Sequence, residues 1–151
     1  MKKLVVTLLT IAAALNTVSA SAQFARSEDA IRYRQSAFYL MHQHFGRVAA
    51  MASGKTPFDP KAAIDNAATL EVVGKLPWSA FGEGTDRGRE HRALAEVWTD
   101  KAKFKEYADA MQVELTKLSA ATKTGSLDSV KQAVRGVGGS CKTCHDAFHK
   151  N

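Results

Sequence analysis

The chain has 151 residues, a formal net charge of +6 at neutral pH and 45% hydrophobic residues, which suits one folded domain with a buried core. Its 21 basic residues are spread along the chain without a dense run, and this argues against nucleic acid as a partner. Neither an internal repeat nor a low-complexity tract stands out.

The N-terminal segment has the pattern of a secretory signal peptide. A charged start and a mostly apolar run over residues 4–15 lead to a small-residue cleavage site at residues 20–22. The apolar run is too short to span a bilayer, although an uncleaved membrane anchor is the alternative. We therefore expect residues 1–22 to be removed and residues 23–151 to form one domain in the periplasm, without membrane contact after cleavage.

The first predicted helix, segment A, has Ser27 as its expected N-cap and ends at Gly54 and Pro57. Its apolar residues recur at steps of three and four, the period of an amphipathic helix. The core-facing stripe consists of Ile31, Arg34/Gln35, Phe38, Met41/His42, Phe45, Val48/Ala49 and Ala52. A second, partly apolar stripe beside it consists of Tyr33, Ala37, Leu40 and His44. Because helices often bury such extra apolar residues against a partner, the second stripe predicts a homodimer.

The second predicted helix, segment B, has Asp59 as N-cap and Pro60 at its first helical position, and Pro77 stops it. A long connection over residues 77–99 follows, and loops of this length in small domains are often functional. Its large apolar residues, which we expect to anchor it against the core, are Trp78, Phe81, Leu94 and Trp98.

Two further helices are predicted in the C-terminal half. Segment C begins at Asp100 and closes at Gly125, and its stripe consists of Phe104, Ala108, Met111, Leu115, Leu118 and Thr122. Segment D carries the stripe Leu127, Val130, Val134, Val137, Cys141, Cys144 and Phe148. Glycines at positions 136, 138 and 139 cost about 1 kcal/mol each in a helix, so a break before the cysteines is the alternative to a continuous segment D. Four amphipathic helices with short A–B and C–D links predict an all-α, antiparallel four-helix bundle.

Cys141, Cys144 and His145 form the pattern Cys-x-x-Cys-His, by which a haem is covalently attached to protein. On a helix turning about 100° per residue, all three side chains point from one face, so two thioethers could hold the macrocycle while the imidazole reaches its iron. A zinc site lacks a second cysteine pair, a thioredoxin-like motif lacks its βαβ context, and a chance pattern is the remaining alternative. We expect one haem c, lying inside the bundle because its cysteines share a stripe with core valines. Covalent haem attachment outside the bacterial cytoplasm agrees with the export signal.

The chain resembles cytochrome c′, the class II c-type cytochromes, over essentially all of residues 23–151. The resemblance rests on YRQSA at 33–37, HFGR at 44–47, LPWSAFG at 76–82, RALAEVW at 92–98, and VGGS at 137–140 before the C-terminal haem motif. This family forms four-helix bundles.

The resemblance implies a high-spin, five-coordinate iron with His145 as its only protein ligand. It implies that Phe38 covers the open iron face, although Phe38 could instead be an ordinary core residue. A low-spin, six-coordinate electron carrier with Met41 or His42 as sixth ligand is the alternative. His149 stands where many relatives have a basic residue, four positions after the ligand.

Other residues are expected to contact the haem. Arg34 and Gln35 match family residues that touch the haem and its propionates, although Arg34 could instead be exposed at the bundle end. Leu94 matches a haem-contacting loop position. The remaining expected contacts are Trp78, Phe81, Met111 and His149. His44 and His91 are expected at the surface.

Two functions follow from this resemblance. A vacant iron site behind an apolar lid would admit small diatomic gases such as nitric oxide and carbon monoxide. Cycling of the iron between ferric and ferrous states would instead serve electron transfer with redox partner proteins. The core stripe offers no clear acid–base pair beyond His42, so an enzyme is the weaker hypothesis.

Overall fold

The computed structural model describes residues 23–150, so the predicted signal peptide lies outside the described residues. Four long helices dominate: α1 (Ser27–Ala52), α2 (Pro60–Val73), α4 (Lys101–Lys123) and α5 (Leu127–Phe148). A 3-10 turn (Pro77–Ala80) and the short helix α3 (Glu96–Thr99) lie in the long connection. The predicted all-α, four-helix bundle is confirmed. Over residues 23–150, no helix is long and apolar enough to cross a membrane.

Side-chain caps start three of these helices. The Asp59 carboxylate accepts a hydrogen bond from the Ala62 backbone N–H, and Pro60 is the first residue of α2, as predicted. Asp100, where segment C was predicted to begin, caps α4 in the same way through the Lys103 N–H, and Ser126 caps α5.

Helix α1 starts differently from the prediction. Arg26 is its N-cap, and Ser27 is already the first helical residue. The Arg26 guanidinium pairs with the Asp29 carboxylate at 2.9 Å, and the Arg26 carbonyl accepts the Asp29 and Ala30 N–H groups. These bonds stabilise the start of the helix, although the Arg26 side chain accepts no hydrogen bond from the backbone N–H groups of the first turn.

Glycine conformations end two helices where the sequence predicted. Gly54 after α1 and Gly125 after α4 have φ of +77° and +71°, which side-chain-bearing residues rarely adopt. Helix α2 ends earlier than predicted, at Val73 rather than at Pro77. Gly74 follows it, and a Cβ atom there would clash with Leu115 of α4. The close approach of α2 to α4 therefore depends on this glycine.

The core runs between the four long helices, and α5 continues without a break through Gly136, Gly138 and Gly139. A Cβ atom at Gly136 would meet the Glu114 carboxylate of α4. The missing side chain at Gly136 therefore leaves room for Glu114 where α4 and α5 pack together, although glycine has a low helix propensity. The buried apolar residues form one group, the core cluster, which consists of Met41, Val48, Ala52, Ala67, Leu70, Val73, Met111, Leu115, Leu118, Val130 and Val137.

Candidate functional site

Both cysteines lie half-buried on α5, and Cys141 packs against the core cluster. Burial raises the pKa of the Cys141 thiol, and burial together with Cys141 raises the pKa of Cys144 to about 11. The free thiols are therefore neutral at pH 7. Among residues 23–150, no group of three or more His, Cys, Asp or Glu side chains is placed to hold a metal ion. Two thiols on one helix, one of them packed against the apolar core, are placed to hold an apolar group.

His145 is exposed on α5, one residue beyond Cys144. Its imidazole stacks on that of His149, with ring centroids 4.9 Å apart and planes 28° apart. Burial, followed by His145 and Arg92, lowers the pKa of His149. His149 thus lies beside the predicted iron ligand, as its position in the sequence suggested.

The long connection is joined to the end of α5 by backbone hydrogen bonds. Ala93 and His149 form an antiparallel bridge, in which the Leu94 N–H donates to the Phe148 carbonyl at 2.9 Å. The Lys150 N–H donates to the Arg92 carbonyl at 2.8 Å. Half-buried Leu94 is thereby held next to the end of the helix that carries the motif.

An aromatic cluster connects α1, the long connection, α4 and α5. The pairs are Phe38–Trp78 at 5.7 Å, Phe38–Phe81 at 6.3 Å, Phe81–Phe104 at 4.9 Å and Phe104–Phe148 at 5.2 Å between ring centroids. Trp78 also donates a hydrogen bond to the Gly74 carbonyl. The cluster brings together three predicted contacts, Phe38, Trp78 and Phe81.

Phe104 and Phe148 were not predicted as site residues. Both stood on helical stripes, and antiparallel packing brings the start of α4 to the end of α5. The predicted antiparallel bundle already placed the start of segment C beside the haem motif, and this could have identified both residues as possible haem contacts.

The three candidates for the residue facing the iron lie in different surroundings. Phe38 is half-buried, packs against the core cluster and touches Trp78 and Phe81. Met41 is 7% exposed inside the core cluster, and Met111 lies in the same cluster. His42 is exposed and lines a surface groove between α1 and α2. Of the three, Phe38 is the one that joins the aromatic cluster.

Arg34 is buried, with 2% of its surface exposed, so the alternative of an exposed arginine is wrong. One terminal nitrogen donates to the Ala80 carbonyl and the Thr85 hydroxyl, and the other donates to the Thr85 carbonyl at 2.9 Å. Its guanidinium carbon lies 4.5 Å from the Phe81 ring centroid and 5.4 Å from that of Trp98. Burial lowers the pKa of Arg34 to about 10, and Asp86 opposes this. A side chain with this many partners fixes the connection onto α1.

Gln35 is exposed and binds the same connection. Its side-chain amide donates to the Glu90 carbonyl at 2.9 Å and accepts from Arg89 at 3.2 Å. Arg34 and Gln35 therefore act on neighbouring parts of one loop.

The two histidines expected at the surface are half-buried instead. His44 pairs through Nδ1 with the Asn66 side-chain oxygen of α2 at 2.9 Å. His91 pairs through Nε2 with the Asp86 carbonyl at 2.8 Å, and its Nδ1 atom is buried without a hydrogen-bond partner. The partner of His44 lies 22 residues away on α2, whereas that of His91 lies five residues away in its own loop.

The second stripe of α1 is partly covered by the chain itself. Ala37 is buried, and Tyr33 and His44 are half-buried. Leu40 is 43% exposed and the neighbouring Tyr39 is 63% exposed. The free apolar surface on this helix is therefore centred on Leu40 and Tyr39.

These residues fit a covalently attached haem. The thiols and the imidazole stand on one helix, aromatic side chains supply apolar surface, and Arg34 supplies a buried cation near that surface. The unpartnered Nδ1 of His91 is a polar atom that the protein itself leaves unsatisfied.

Comparison with known proteins identifies relatives along almost the whole described chain. The family model for cytochrome C′ matches residues 29–149. Cytochrome c′ of Rubrivivax gelatinosus is 53% identical over 126 residues, covering 83% of this chain and 98% of the relative. Cytochrome c′ of Alcaligenes xylosoxydans is 46% identical over 128 residues, covering 85% and 98%.

Solved structures give the same answer. The crystal structure of cytochrome c′ from Rubrivivax gelatinosus superposes with a TM-score of 0.83 at 52% identity, covering 85% of this chain and all of that one. A nitric oxide complex of a mutant cytochrome c prime from Alcaligenes xylosoxidans superposes with a TM-score of 0.80 at 45% identity, covering 85% of this chain and 99% of that one.

Proposed function

Because the chain belongs to the cytochrome c′ family of haem proteins, we propose that it is an exported protein with one haem c that binds small diatomic gases and transfers electrons. The observation that carries this proposal is the placement of two neutral thiols and an imidazole on one helix beside an aromatic cluster. Export rests on the signal-peptide pattern of residues 1–22, and the expected compartment is the periplasm.

Cys141 and Cys144 would hold the haem through two thioether bonds, and His145 would be the axial ligand. When bound, the haem supplies an iron that can change its oxidation state and accept a diatomic ligand. The protein contributes the aromatic side chains that exclude water, with Phe38, Trp78 and Phe81 in mutual reach. Leu94 and Met111 would add apolar contacts from the long connection and α4.

A five-coordinate, high-spin iron is supported by the surroundings of the candidate sixth ligands. Met41 is packed into the core cluster, and His42 faces the groove between α1 and α2. Phe38, which cannot ligate iron, lies among the aromatic residues. A low-spin carrier with Met41 or His42 as ligand is the second candidate.

Gas binding is supported by the apolar character of this cluster. Neutral diatomic molecules lose little on leaving water, whereas polar ligands lose their hydrogen bonds there. A solved relative is a nitric oxide complex. Electron transfer to redox partner proteins is compatible with the same site, and no enzymatic reaction is proposed.

Absorption spectra of the ferrous protein, with and without nitric oxide and carbon monoxide, test the proposal. We expect a high-spin spectrum that changes with each gas. A low-spin spectrum with a methionine–iron charge-transfer band would point to Met41, and a bis-histidine spectrum would point to His42. If neither gas changed the spectrum, gas binding would be wrong and electron transfer alone would stand.

Intact mass spectrometry of the periplasmic protein tests export and attachment. The expected mass is that of the 129 residues left after cleavage (151 − 22) plus one haem. Haem that acidified organic solvent can extract would contradict covalent attachment through Cys141 and Cys144.

A further inference from the structure

The Phe38 ring of α1 is bordered by two aromatic residues of the long connection. Its centroid lies 5.7 Å from that of Trp78, with the two ring planes at 82°, and 6.3 Å from that of Phe81. All three side chains are half-buried, and Phe38 and Trp78 also pack against the core cluster. A ring in such packed surroundings can move only where a neighbour leaves room for it.

Trp78 is fixed at several points. Its ring N–H donates to the Gly74 carbonyl at 2.7 Å, and its ring centroid lies 5.8 Å from that of Phe104. The indole also stacks on Phe81, with centroids 6.5 Å apart and planes 25° apart. The preceding residue, Pro77, is fully buried and restricts the backbone at this point. The indole therefore has little freedom to move.

The hydrogen-bond acceptor of Trp78 is itself fixed by helix packing. Gly74 is the C-cap of α2, where its N–H donates to the Leu70 carbonyl at 2.8 Å. A Cβ atom at Gly74 would clash with Leu115, so the backbone at Gly74 lies directly against α4. The packing of α2 on α4 thus sets the position of the indole, and the indole in turn borders Phe38.

From this arrangement we infer that Trp78 is a positioning residue for Phe38, and that it limits how far the Phe38 ring can swing aside when a diatomic gas binds. This inference rests on the proposed function, in which Phe38 covers the open face of the iron. Trp78 acts on gas binding through Phe38, by occupying the space that the ring would need. A smaller side chain at position 78 would open that space.

Carbon monoxide affinity of the ferrous holoprotein tests this role in a double-mutant cycle, with association rates from flash photolysis. Trp78→Leu removes the wide ring and its N–H, and we expect it to raise the affinity about fivefold or more, as when a packed ring no longer resists displacement. In Phe38→Ala, which has no ring to position, adding Trp78→Leu should change the affinity by less than about twofold. This loss of effect separates positioning of Phe38 from a direct contact between Trp78 and the haem.

Trp98→Leu is the matched control. Trp98 is a half-buried indole of the same connection, and its ring N–H also donates to a glycine carbonyl, that of Gly82, at 3.1 Å. Its ring packs against Phe81 and His91 rather than against Phe38. The control should lower stability in urea unfolding, as Trp78→Leu does, and change carbon monoxide affinity by less than about twofold. An equal rise in affinity in both variants would overturn the inference.

An unchanged or lower affinity in folded Trp78→Leu would also overturn the inference, and so would a rise that persists in the Phe38→Ala background. If Trp78→Leu did not fold, as judged by its helical circular dichroism, Trp78→Phe would decide, because its ring is smaller and lacks the N–H donor. It should show a rise in affinity that again depends on Phe38. Failure of the proposed function is distinguishable, since the unsubstituted ferrous protein would then bind no carbon monoxide.

Discussion

Arg34 of α1 donates hydrogen bonds to both the hydroxyl and the carbonyl oxygen of Thr85, 51 residues further along the chain. Together with the bond to the Ala80 carbonyl, these bonds attach residues 80–85 of the long connection to α1. Hydrogen bonds from charged groups contribute about 1.5–3 kcal/mol, and their loss here leaves buried carbonyls unpaired.

Arg34→Met should therefore lower the free energy of unfolding by about 2–4 kcal/mol. Arg34→Lys should recover only part of this, because an ammonium group cannot reproduce the planar set of donors. Urea unfolding followed by circular dichroism measures the effect. Arg32→Met is the control, since Arg32 is exposed on the same helix and should change stability by less than about 0.5 kcal/mol. Equal losses in the two methionine variants would contradict this role of Arg34.

The thiol of Cys144 should react slowly before the haem is attached. Burial raises its pKa to about 11 from an ordinary value of 9.0, so the thiolate at pH 8 is about 100-fold scarcer than in an unperturbed cysteine. Alkylation of the haem-free chain by iodoacetamide at pH 8 should be slower by a similar factor than alkylation of the same chain in urea. Equal rates in the folded and unfolded chains would contradict the burial of this thiol.

The same pKa shift has a consequence for stability at alkaline pH. The folded-state pKa lies above the unfolded one, so the unfolded chain loses its proton first as the pH rises. The stability contributed by the neutral thiol is present below about pH 9 and is lost as the pH rises towards 11. The haem-free chain should therefore lose stability in that window, and Cys144→Ala should lose less. Urea unfolding between pH 8 and 11 measures the difference.

The helices could be predicted because their causes are local. The caps at Asp59 and Asp100, and the positive φ of Gly54 and Gly125, each depend on a few neighbouring residues. The stripes then identified the core faces, and the spacing of the haem motif predicts its chemistry.

The long connection could not be predicted in this way, because its structure depends on distant partners. Arg34 reaches Thr85, Gln35 reaches the Glu90 carbonyl, and Ala93 pairs with His149. None of these contacts has a periodic pattern in the sequence.

Leu40 should be at the centre of a dimer interface if the chain forms a homodimer. It is 43% exposed on α1, beside Tyr39 at 63%. Leu40→Glu should place a charge in the interface and give a monomer in analytical ultracentrifugation at micromolar concentration. Val113→Glu on α4 is the control, because Val113 is 53% exposed on another helix. A monomeric unsubstituted protein would refute the dimer, and dissociation by both variants would refute this interface.

Phe38 should control how tightly the iron binds carbon monoxide. Its ring contacts Trp78 and Phe81 and packs against the core cluster, so a ligand that displaced it would have to break packed contacts. Such displacement costs about 1–3 kcal/mol by analogy with overpacked cores. This range corresponds to about 5- to 150-fold in affinity.

Phe38→Ala should therefore raise carbon monoxide affinity within that range and speed association, as measured by flash photolysis of the ferrous protein. It should also destabilise the haem-free bundle, as other Phe→Ala changes in cores do. Phe58→Ala is the matched control, because Phe58 is also partly buried against the core but lies in the connection between α1 and α2. It should lower stability and leave the gas kinetics unchanged. If Phe38→Ala changed carbon monoxide kinetics by less than about twofold, Phe38 would be an ordinary core residue, and Met41 and His42 would again be the candidates for the residue facing the iron.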